Sequence, residues 1–358
     1  MHKNAQQSDK TRELLINHYQ TYPKLKPQDI FKFIFQSSFG CEHLVSSESR
    51  ALEYIEKEYK TLPNMSLPRI EKLDGEYSRV CLSCLNDGLK PHTLARLFCL
   101  SSKNESDGKV MLEQKLEVAR ELVREGRLPF DVEDFEKELD LWRSSGCKAI
   151  HHSSAFRSEY QPAYRVLADR YADFLPLFEE IDKLSSRDSV IVAIEGGSAS
   201  GKTTLSDSLR QVYDCNVFHV DDFFLRPEQR TPERFAQIGG NVDRERFAAE
   251  VLDSLKKGET VQYRCFDCHT QSLGELITVE PKTLTIVEGV YSTHPAFSRY
   301  FDIAVFLDIT PECQRNRILK RNAPRLAERF FDEWIPLENR YFSGTDIKKR
   351  ADLIFCIG

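Results

Sequence analysis

Residues 196–204 read Gly196-Gly197-Ser198-Ala199-Ser200-Gly201-Lys202-Thr203-Thr204. The stretch follows the apolar run 190–194, and Leu205, Leu209 and Val212 behind it recur at helical spacing. A strand, a glycine-rich loop and a helix form the context in which the pattern G-x-x-x-x-G-K-[ST] binds phosphate. Glycines let successive backbone N–H groups point into one concavity, and the helix N-terminus adds partial positive charge there. The pattern therefore predicts a phosphate-binding loop, which is favoured over a glycine-rich turn without a ligand.

Two side chains of this loop supply its expected chemistry. Lys202 would place an ammonium group against the β and γ phosphates of a nucleotide. The hydroxyl of Thr203 would bind Mg²⁺, whose charge offsets that of the triphosphate. The chain contains no N-K-x-D motif to read guanine, no D-x-x-G switch behind the loop and no LSGGQ-like signature. We therefore expect a nucleotide-binding protein other than a GTPase or a transporter ATPase.

The sequence around the loop predicts an α/β fold. Short apolar runs alternate with helical stretches, as in a parallel sheet built from βαβ units. The runs show little polar alternation, which is expected when helices cover both faces of a sheet. They predict five strands, at residues 190–194, 217–220, 284–287, 303–307 and 353–355.

Acidic residues follow two of these runs. Asp221 and Asp222 come directly after the second run, and Glu288 ends the third. The carboxyl ends of parallel strands form the edge at which open α/β sheets bind ligands. Asp221 could accept the proton of an attacking hydroxyl there, and the alternative is an Asp pair that caps a helix. Glu288 could reach the water shell of the metal from a neighbouring strand.

A basic helical stretch, 311–321, follows the fourth run and is continued by Arg325 and Arg329. An arginine-rich helix is usually a solvated face. Beside a phosphate-binding loop it also fits a lid whose guanidinium groups close over transferring phosphoryl oxygens and exclude water.

The first half of the chain predicts helices and no comparable motif. Apolar residues recur at helical spacing in 108–124, 132–142 and 162–184. The polar segment 185–188 then interrupts the pattern and is the expected domain junction. We therefore expect a mostly helical domain of unknown function at 1–185 and the α/β domain at 189–358.

Composition narrows the expected partners. The 358 residues contain 50 Lys and Arg against 56 Asp and Glu, a net charge of −6, which gives no support for binding nucleic acid non-specifically. No apolar run approaches the roughly 18 residues of a membrane span, and the first residues lack the apolar segment of a signal peptide. We expect a cytoplasmic protein with a small-molecule substrate, no membrane or nucleic-acid partner, ten reduced cysteines and possible self-association.

From about Ser189 onward the chain resembles the uridine kinase and phosphoribulokinase family of P-loop kinases. The matching segments are GGSASGKTT (196–204), HVDDFF (219–224), GGNVDRERF (239–247), YRCFDC (263–268), IVEGVYS (286–292), YFDIAVFLDI (300–309) with its basic helix, and KKRADLIF (348–355). The resemblance implies ATP and Mg²⁺ as cofactors. It also implies that Gly196, Gly197, Ser198, Ala199, Ser200, Gly201, Lys202, Thr203 and Thr204 bind the nucleotide.

Further roles follow from the same resemblance. Asp221 is implied as the base that faces the substrate hydroxyl, with Lys202 as its catalytic partner, and Glu288 assists Thr203 at the Mg²⁺ site. Asp243 is implied to bind substrate hydroxyls. The implied lid residues are Arg317 and, with weaker alignment, Arg321 and Arg325.

The substrate strand departs from the family pattern. Phe266-Asp267 stands where uridine kinases have Tyr-Asp, and Gln271 stands where they have a His. The resemblance implies phosphoryl transfer to an alcohol group of a small metabolite, first of all a nucleoside such as uridine, with Phe266 and Asp267 in its site. The alternative is an ATP-binding regulatory protein whose nucleotide domain controls partner binding by the helical domain.

The first half leaves two possibilities open. Its segments 39–44 and 152–157 resemble an uncharacterised helical region of bacterial kinase-like proteins, which supplies no activity. The residues that could furnish zinc ligands are Cys41, His43, Cys81, Cys84, His151 and His152, although one C-x-x-C without a second pair favours buried thiols. The polar and aromatic segment 151–165 could line a second pocket or form a packing corner.

Overall fold

The computed structural model describes residues 2–41, 47–62, 67–74, 76–102 and 108–358, with residues 2–7 as backbone only. The chain divides into two compact units, Met1–Glu179 (unit 1) and Glu180–Gly358 (unit 2). The division falls inside the helix Leu175–Leu184, shortly before the polar segment expected as a junction.

Unit 1 combines helices with a small antiparallel sheet. Its helices are α1 (His2–Thr21), α2 (Pro27–Phe39), α3 (Glu48–Lys60), α4 (Pro91–Ser101), α5 (Gly108–Arg124), α6 (Val132–Ser144), α7 (Ser154–Tyr160), α8 (Asp169–Ala172) and α9 (Leu175–Leu184), whose last residues extend into unit 2. The strands are β1 (Ile70–Lys72), β2 (Tyr77–Cys81) and β3 (Tyr164–Ala168), in the order β1-β2-β3. The helices expected at 108–124 and 132–142 are confirmed as α5 and α6.

The continuous helix expected at 162–184 is wrong in its first part. Tyr164–Ala168 is the strand β3, and helix begins only at α8 and α9. β3 pairs antiparallel with β2, with Tyr77 opposite Ala168 and Cys81 opposite Tyr164. Apolar spacing along five residues does not distinguish a strand from a helix, and the pairing with a strand more than 80 residues away decides the outcome.

Unit 2 is built on a five-stranded parallel sheet, as expected. The strands of this sheet are β4 (Val190–Gly196), β5 (Cys215–His219), β8 (Leu284–Glu288), β9 (Ile303–Ile309) and β10 (Leu353–Ile357). Their order is β10-β9-β4-β8-β5, and every neighbouring pair is parallel. All seven residues of β4 are buried, which explains why its sequence is apolar without alternation.

Helices and a hairpin complete unit 2. The helices are α10 (Lys202–Val212), α11 (Pro232–Ala236), α12 (Arg244–Phe247), α13 (Asp253–Lys257), α14 (Pro311–Arg321), α15 (Pro324–Arg329), α16 (Ile335–Thr345) and α17 (Ile347–Arg350). Single π-helical turns, Ala248–Leu252 and Phe330–Trp334, join α12 to α13 and α15 to α16. The antiparallel pair β6 (Val261–Asp267) and β7 (Ser272–Val279) contains most of the segment 263–268.

The sheet topology determines where a ligand can bind. β4 lies at the centre, with β8 on one side and β9 on the other, so the chain leaves β4 where the strand order reverses. Open α/β sheets bind ligands in the crevice at the carboxyl ends of the strands around such a point. The loop 196–204 begins at that position. Among the described residues, no helix is long and apolar enough to cross a membrane.

Candidate active site

The loop 196–204 leaves β4 in a conformation that needs glycine. Gly196 has a φ of +149°, and a Cβ there would lie 2.6 Å from the carbonyl oxygen of Leu307. Gly201, at the N-cap of α10, has a φ of +103°. Side-chain-bearing residues rarely adopt either conformation, so these two positions explain the glycines of the motif. The loop therefore curls at the N-terminus of α10, as the sequence predicts.

Lys202 is the first residue of α10 and is buried. Its Nζ donates to the carbonyl oxygens of Gly196 at 2.9 Å and Gly197 at 3.1 Å. The ammonium group thus folds back over the loop instead of extending into solvent. A positive charge held beside the loop amides is the arrangement that a phosphate group requires.

Thr203, Glu288 and His219 form a hydrogen-bonded group beside the loop. The Thr203 hydroxyl donates to Glu288 Oε1 at 3.0 Å, and His219 Nδ1 lies 2.7 Å from the same oxygen. His219 and Glu288 end two adjacent strands and are paired in register. Burial alone would raise the pKa of Glu288, but the His219 hydrogen bond and the Lys202 charge outweigh it, so its pKa is lowered. Glu288 is therefore an ionised ligand candidate next to a hydroxyl.

His219 was missed as a site residue, although it opens the segment 219–224 that matched the family pattern. Its hydrogen bond to Glu288 raises the pKa of His219. The sequence feature that could have identified His219 is its position at the end of β5, two residues before Asp221.

Asp221 and Asp222 follow β5 in the turn Val220–Phe223 and face different surroundings. The Asp221 side chain is exposed to solvent, although many protein atoms lie around its carboxylate. This partial desolvation raises its pKa, with Glu288 adding to the effect and Lys202 opposing it. Asp222 instead forms a hydrogen bond with Cys265 of β6. Asp221 is therefore the aspartate whose surroundings include Lys202.

Helix α14 lies against the outside of the loop. Arg317 Nη1 donates to the carbonyl oxygens of Ala199 at 3.0 Å and Ser200 at 3.3 Å. Gln314 Nε2 donates to the carbonyl oxygen of Ser198 at 2.9 Å. Of the three expected lid arginines the structure brings Arg317 to the loop.

Arg321 and Arg325 are exposed, and no hydrogen bond joins either to the loop within the described residues. The basic stretch therefore has one member on the loop and others at the surface. The contact of Gln314 with Ser198 could not be predicted from the pattern of charged residues, because glutamine carries no charge.

The three expected substrate residues have local partners. Asp243 is buried and caps α12 by accepting from the Arg246 amide at 3.1 Å, while Gln229 Nε2 donates to it at 2.8 Å. Phe266 is buried in β6, with the Arg230 guanidinium 5.5 Å from its ring centre.

Asp267 lies at the turn between β6 and β7 and accepts from the His269 amide at 2.7 Å, which lowers its pKa. All three side chains thus have structural partners in addition to any role toward a substrate.

Glu338 of α16 is a third site residue that the sequence did not predict, after His219 and Gln314. Its Oε2 accepts from the Ser198 amide at 2.9 Å, and its Oε1 accepts from the Ser198 hydroxyl. The residue is only 4% exposed, and burial raises its pKa. A carboxylate from a helix 140 residues away therefore touches the loop 196–204. No motif or spacing in the sequence around residue 338 indicates this contact.

Glu195 lies in β4 directly before the loop and accepts hydrogen bonds from residues around it. This fully buried carboxylate ends the apolar part of β4, and burial raises its pKa to about 7. It accepts hydrogen bonds from the amides of Gly196, Tyr291 and Thr293 and from the hydroxyls of Thr293 and Tyr341. A glutamate inside an otherwise apolar strand is the sequence signal that could have identified it.

Zinc ligation receives no geometric support. Among the described residues, no group of three or more His, Cys, Asp or Glu side chains is placed to hold a metal ion. His152 is bound to Asp29 and Tyr164, and Cys41 Sγ lies 3.6 Å from the carbonyl oxygen of Val166. His43 lies outside the described residues.

The matches to known proteins cover about half of the chain. No family model matches. A uridine kinase of Macrococcus caseolyticus is 27% identical over 184 residues, covering 46% of this chain and 87% of that protein. A uridine kinase of Chlamydia pneumoniae is 28% identical over 184 residues, covering 46% of this chain and 80% of that protein.

Among solved structures, a possible uridine kinase of Bacillus stearothermophilus shares 22% identity and a TM-score of 0.38, covering 50% of this chain and 99% of that one.

Unit 2 thus has an α/β fold with a five-stranded parallel sheet and a glycine-rich loop of the P-loop pattern, and the chain also has a largely helical region. About half of the chain is uridine kinase-like, as the sequence motifs indicated.

Proposed function

We propose that the protein transfers the γ-phosphoryl group of ATP to a hydroxyl group of a small metabolite, with a nucleoside as the first candidate. The arrangement of Lys202 and Asp221 carries this proposal. Lys202 is held over the loop, and Asp221 is an exposed carboxylate in a protein-lined setting that the Lys202 charge reaches. A phosphoryl donor on the loop and an alcohol beside the carboxylate would then be adjacent.

Asp221 is the proposed general base. A carboxylate with a raised pKa accepts a proton more readily than an ordinary surface aspartate. Asp222 is a weaker candidate because Cys265 already binds it. This difference supports assigning the base to the first Asp of the pair.

Mg²⁺ fits the residues beside the loop. Thr203 and Glu288 present a hydroxyl and an ionised carboxylate, and hard cations prefer oxygen ligands. His219, bound to the same carboxylate, would orient it as an outer partner. Bound Mg²⁺ would neutralise charge on the phosphates.

The remaining loop contacts support a positioning role. Arg317 is the lid arginine already at the loop, and it could be joined by Arg321 and Arg325 on closure of the basic helix. Asp243, Phe266 and Asp267 are proposed for the acceptor side. Because phosphoryl transfer needs little covalent chemistry from the protein, placement and charge neutralisation supply most of the rate.

An acceptor panel tests the function. The protein is incubated with ATP and Mg²⁺ and with single nucleosides, sugars or polyols, and ADP is measured against a sample without acceptor. At least one acceptor is expected to stimulate ADP release, with a phosphorylated alcohol as the product. If ATP binds and changes protein association while no acceptor stimulates release, the regulatory alternative replaces this proposal.

A further inference from the structure

Buried and partly buried polar side chains of unit 1 gather around Arg79, which is remote in sequence from the loop 196–204. The helices α1 and α2, the three strands and the segment before α7 each contribute. The side chains are His18, Asp29, Lys32, Gln36, Glu71, His152 and Tyr164, here called the Arg79 cluster. Burying charged groups costs free energy, and packing alone is achieved more cheaply by apolar residues.

Arg79 is held in a defined orientation but is incompletely bound. Its Nε donates to Gln36 at 2.8 Å and its Nη1 to Glu71 at 3.0 Å. The guanidinium lies 4.9 Å from the ring centre of Tyr164 and 5.3 Å from that of Phe33. The residue is 2% exposed, yet Nη2 has no hydrogen-bond partner within the described residues. Buried polar atoms without a partner are rare and require an explanation.

His18 is a second incompletely bound member. Its Nδ1 lies 2.5 Å from Glu71 Oε1, so one carboxylate holds both His18 and Arg79. Burial lowers the pKa of His18, which favours the neutral ring. Its Nε2 also has no partner in the part of the chain that the structure describes.

The negative charge of Asp29 is satisfied by other groups. Its oxygens accept from His152 Nδ1 at 2.9 Å, from the Ser153 amide at 3.0 Å and hydroxyl at 2.6 Å, and from the Lys26 amide at 2.9 Å. His152 Nε2 in turn lies 2.7 Å from the Tyr164 hydroxyl. Asp29 therefore orients a His–Tyr pair and forms no bond to the Arg79 guanidinium.

Lys32 adds a second cation at the accessible side of the cluster. Its Nζ donates to the neutral carbonyl oxygen of Ile150 at 2.8 Å. Burial and the nearby Arg79 charge lower the pKa of Lys32 to about 8. Lys32 and Tyr164 are partly exposed whereas Arg79 is buried, so these two are the members of the cluster that solvent can reach.

We propose that the Arg79 cluster is a second binding site, which takes a small molecule bearing an oxyanion, either a carboxylate or a phosphate group. Arg79 Nη2 and the Lys32 ammonium donate to the oxyanion, and Tyr164 with His152 lines the approach. The guanidinium suits this chemistry because Gln36 and Glu71 hold its plane in place and leave the charged Nη2 as a fixed donor for an oxyanion. The site is independent of the phosphoryl-transfer proposal.

The test uses the full chain carrying Lys202→Met, which is intended to weaken phosphate binding by the loop, and the Arg79 signal separates the two sites. Inorganic phosphate and acetate are titrated separately, and binding is followed by calorimetry and by NMR of ¹⁵N-labelled arginine side chains. One probe is expected to bind and to shift the Arg79 signal, and the two arms decide which oxyanion is preferred. Adding Lys32→Met is expected to weaken binding at least about tenfold, as for loss of a charged hydrogen bond.

Two further variants make the result decisive. Lys57→Met removes an exposed lysine from the same unit and is expected to leave binding unchanged. Arg79→Lys retains the charge but removes the planar group that Gln36 and Glu71 hold in place, and it should also weaken binding. Absence of binding by both probes, or binding indifferent to both Lys32→Met and Arg79→Lys, would overturn the proposal. Failure of the acceptor panel would not affect it.

Discussion

At the scale of single residues, Lys202 connects the loop to its expected ligand. We expect Lys202→Met to lower kcat/KM for phosphoryl transfer at least about 100-fold, because a preorganised charge beside the transferring group is lost. The measurement is ADP release with the best acceptor of the panel. Lys256→Met, at an exposed position of α13, is the matched control and should retain full activity. Near-normal activity of Lys202→Met would contradict the proposed role.

The two adjacent aspartates are expected to differ in their effect. Asp221→Asn should reduce kcat by about 10²-fold to 10⁴-fold, the usual contribution of a general base. Asp222→Asn, which perturbs a contact with β6, should cost less. Equal losses in the two variants would argue against Asp221 as the base.

The pH dependence of the reaction follows from the direction of the Asp221 pKa shift. A base must be ionised, and the pKa of Asp221 is raised. Activity should therefore fall as the pH drops through a pKa above the usual aspartate value, and the acid limb of kcat/KM against pH should lie correspondingly higher. A limb at or below the usual aspartate pKa would contradict this expectation.

At the scale of elements, α16 and the loop meet through Glu338 and Ser198. A carboxylate beside a phosphate-binding loop repels an anionic ligand, and a charge pair about 4 Å apart is worth about 1 kcal/mol even in bulk water. Glu338→Gln keeps an oxygen acceptor for the Ser198 amide and removes the charge. We expect this variant to bind ATP about fivefold more tightly by calorimetry, because relief of about 1 kcal/mol of repulsion corresponds to that change in Kd.

The exposed Glu312 of α14 provides the control for that comparison. Glu312→Gln should leave ATP affinity unchanged. Weaker ATP binding by Glu338→Gln would mean that the charged carboxylate supports the loop and does not oppose the nucleotide.

At the scale of the whole molecule, the two tryptophans report separately on the two units. Trp142 lies in α6 of unit 1 and Trp334 in unit 2. In Trp142→Phe protein, fluorescence reports on unit 2 alone. ATP with Mg²⁺ at about 100 times its Kd should stabilise that transition against urea by about 2.7 kcal/mol. No shift of the Trp334 transition would contradict nucleotide binding by unit 2.

Much of unit 2 could be predicted from the sequence because its signals are local. The glycines, Lys202 and Thr203 lie within one short segment, and apolar runs marked all five strands of the parallel sheet to within a few residues. The carboxylates Asp221 and Glu288 were located from their positions at strand ends. Unit 1 was less predictable because β3 forms by pairing with β2. The spacing of apolar residues within 162–184 does not indicate that pairing.

The amino-acid sequence by itself determined the glycine-rich loop, the order of strands and helices around it and the likeness to uridine kinases. Only the tertiary structure decided that Glu338 contacts Ser198, that His219 shares a carboxylate oxygen with Thr203, and that helices and strands of unit 1 converge on Arg79. The physical reason is the range of the interactions. Backbone conformation and periodicity are encoded in neighbouring residues, whereas these contacts join residues distant in the chain that meet only when the strands and helices have packed.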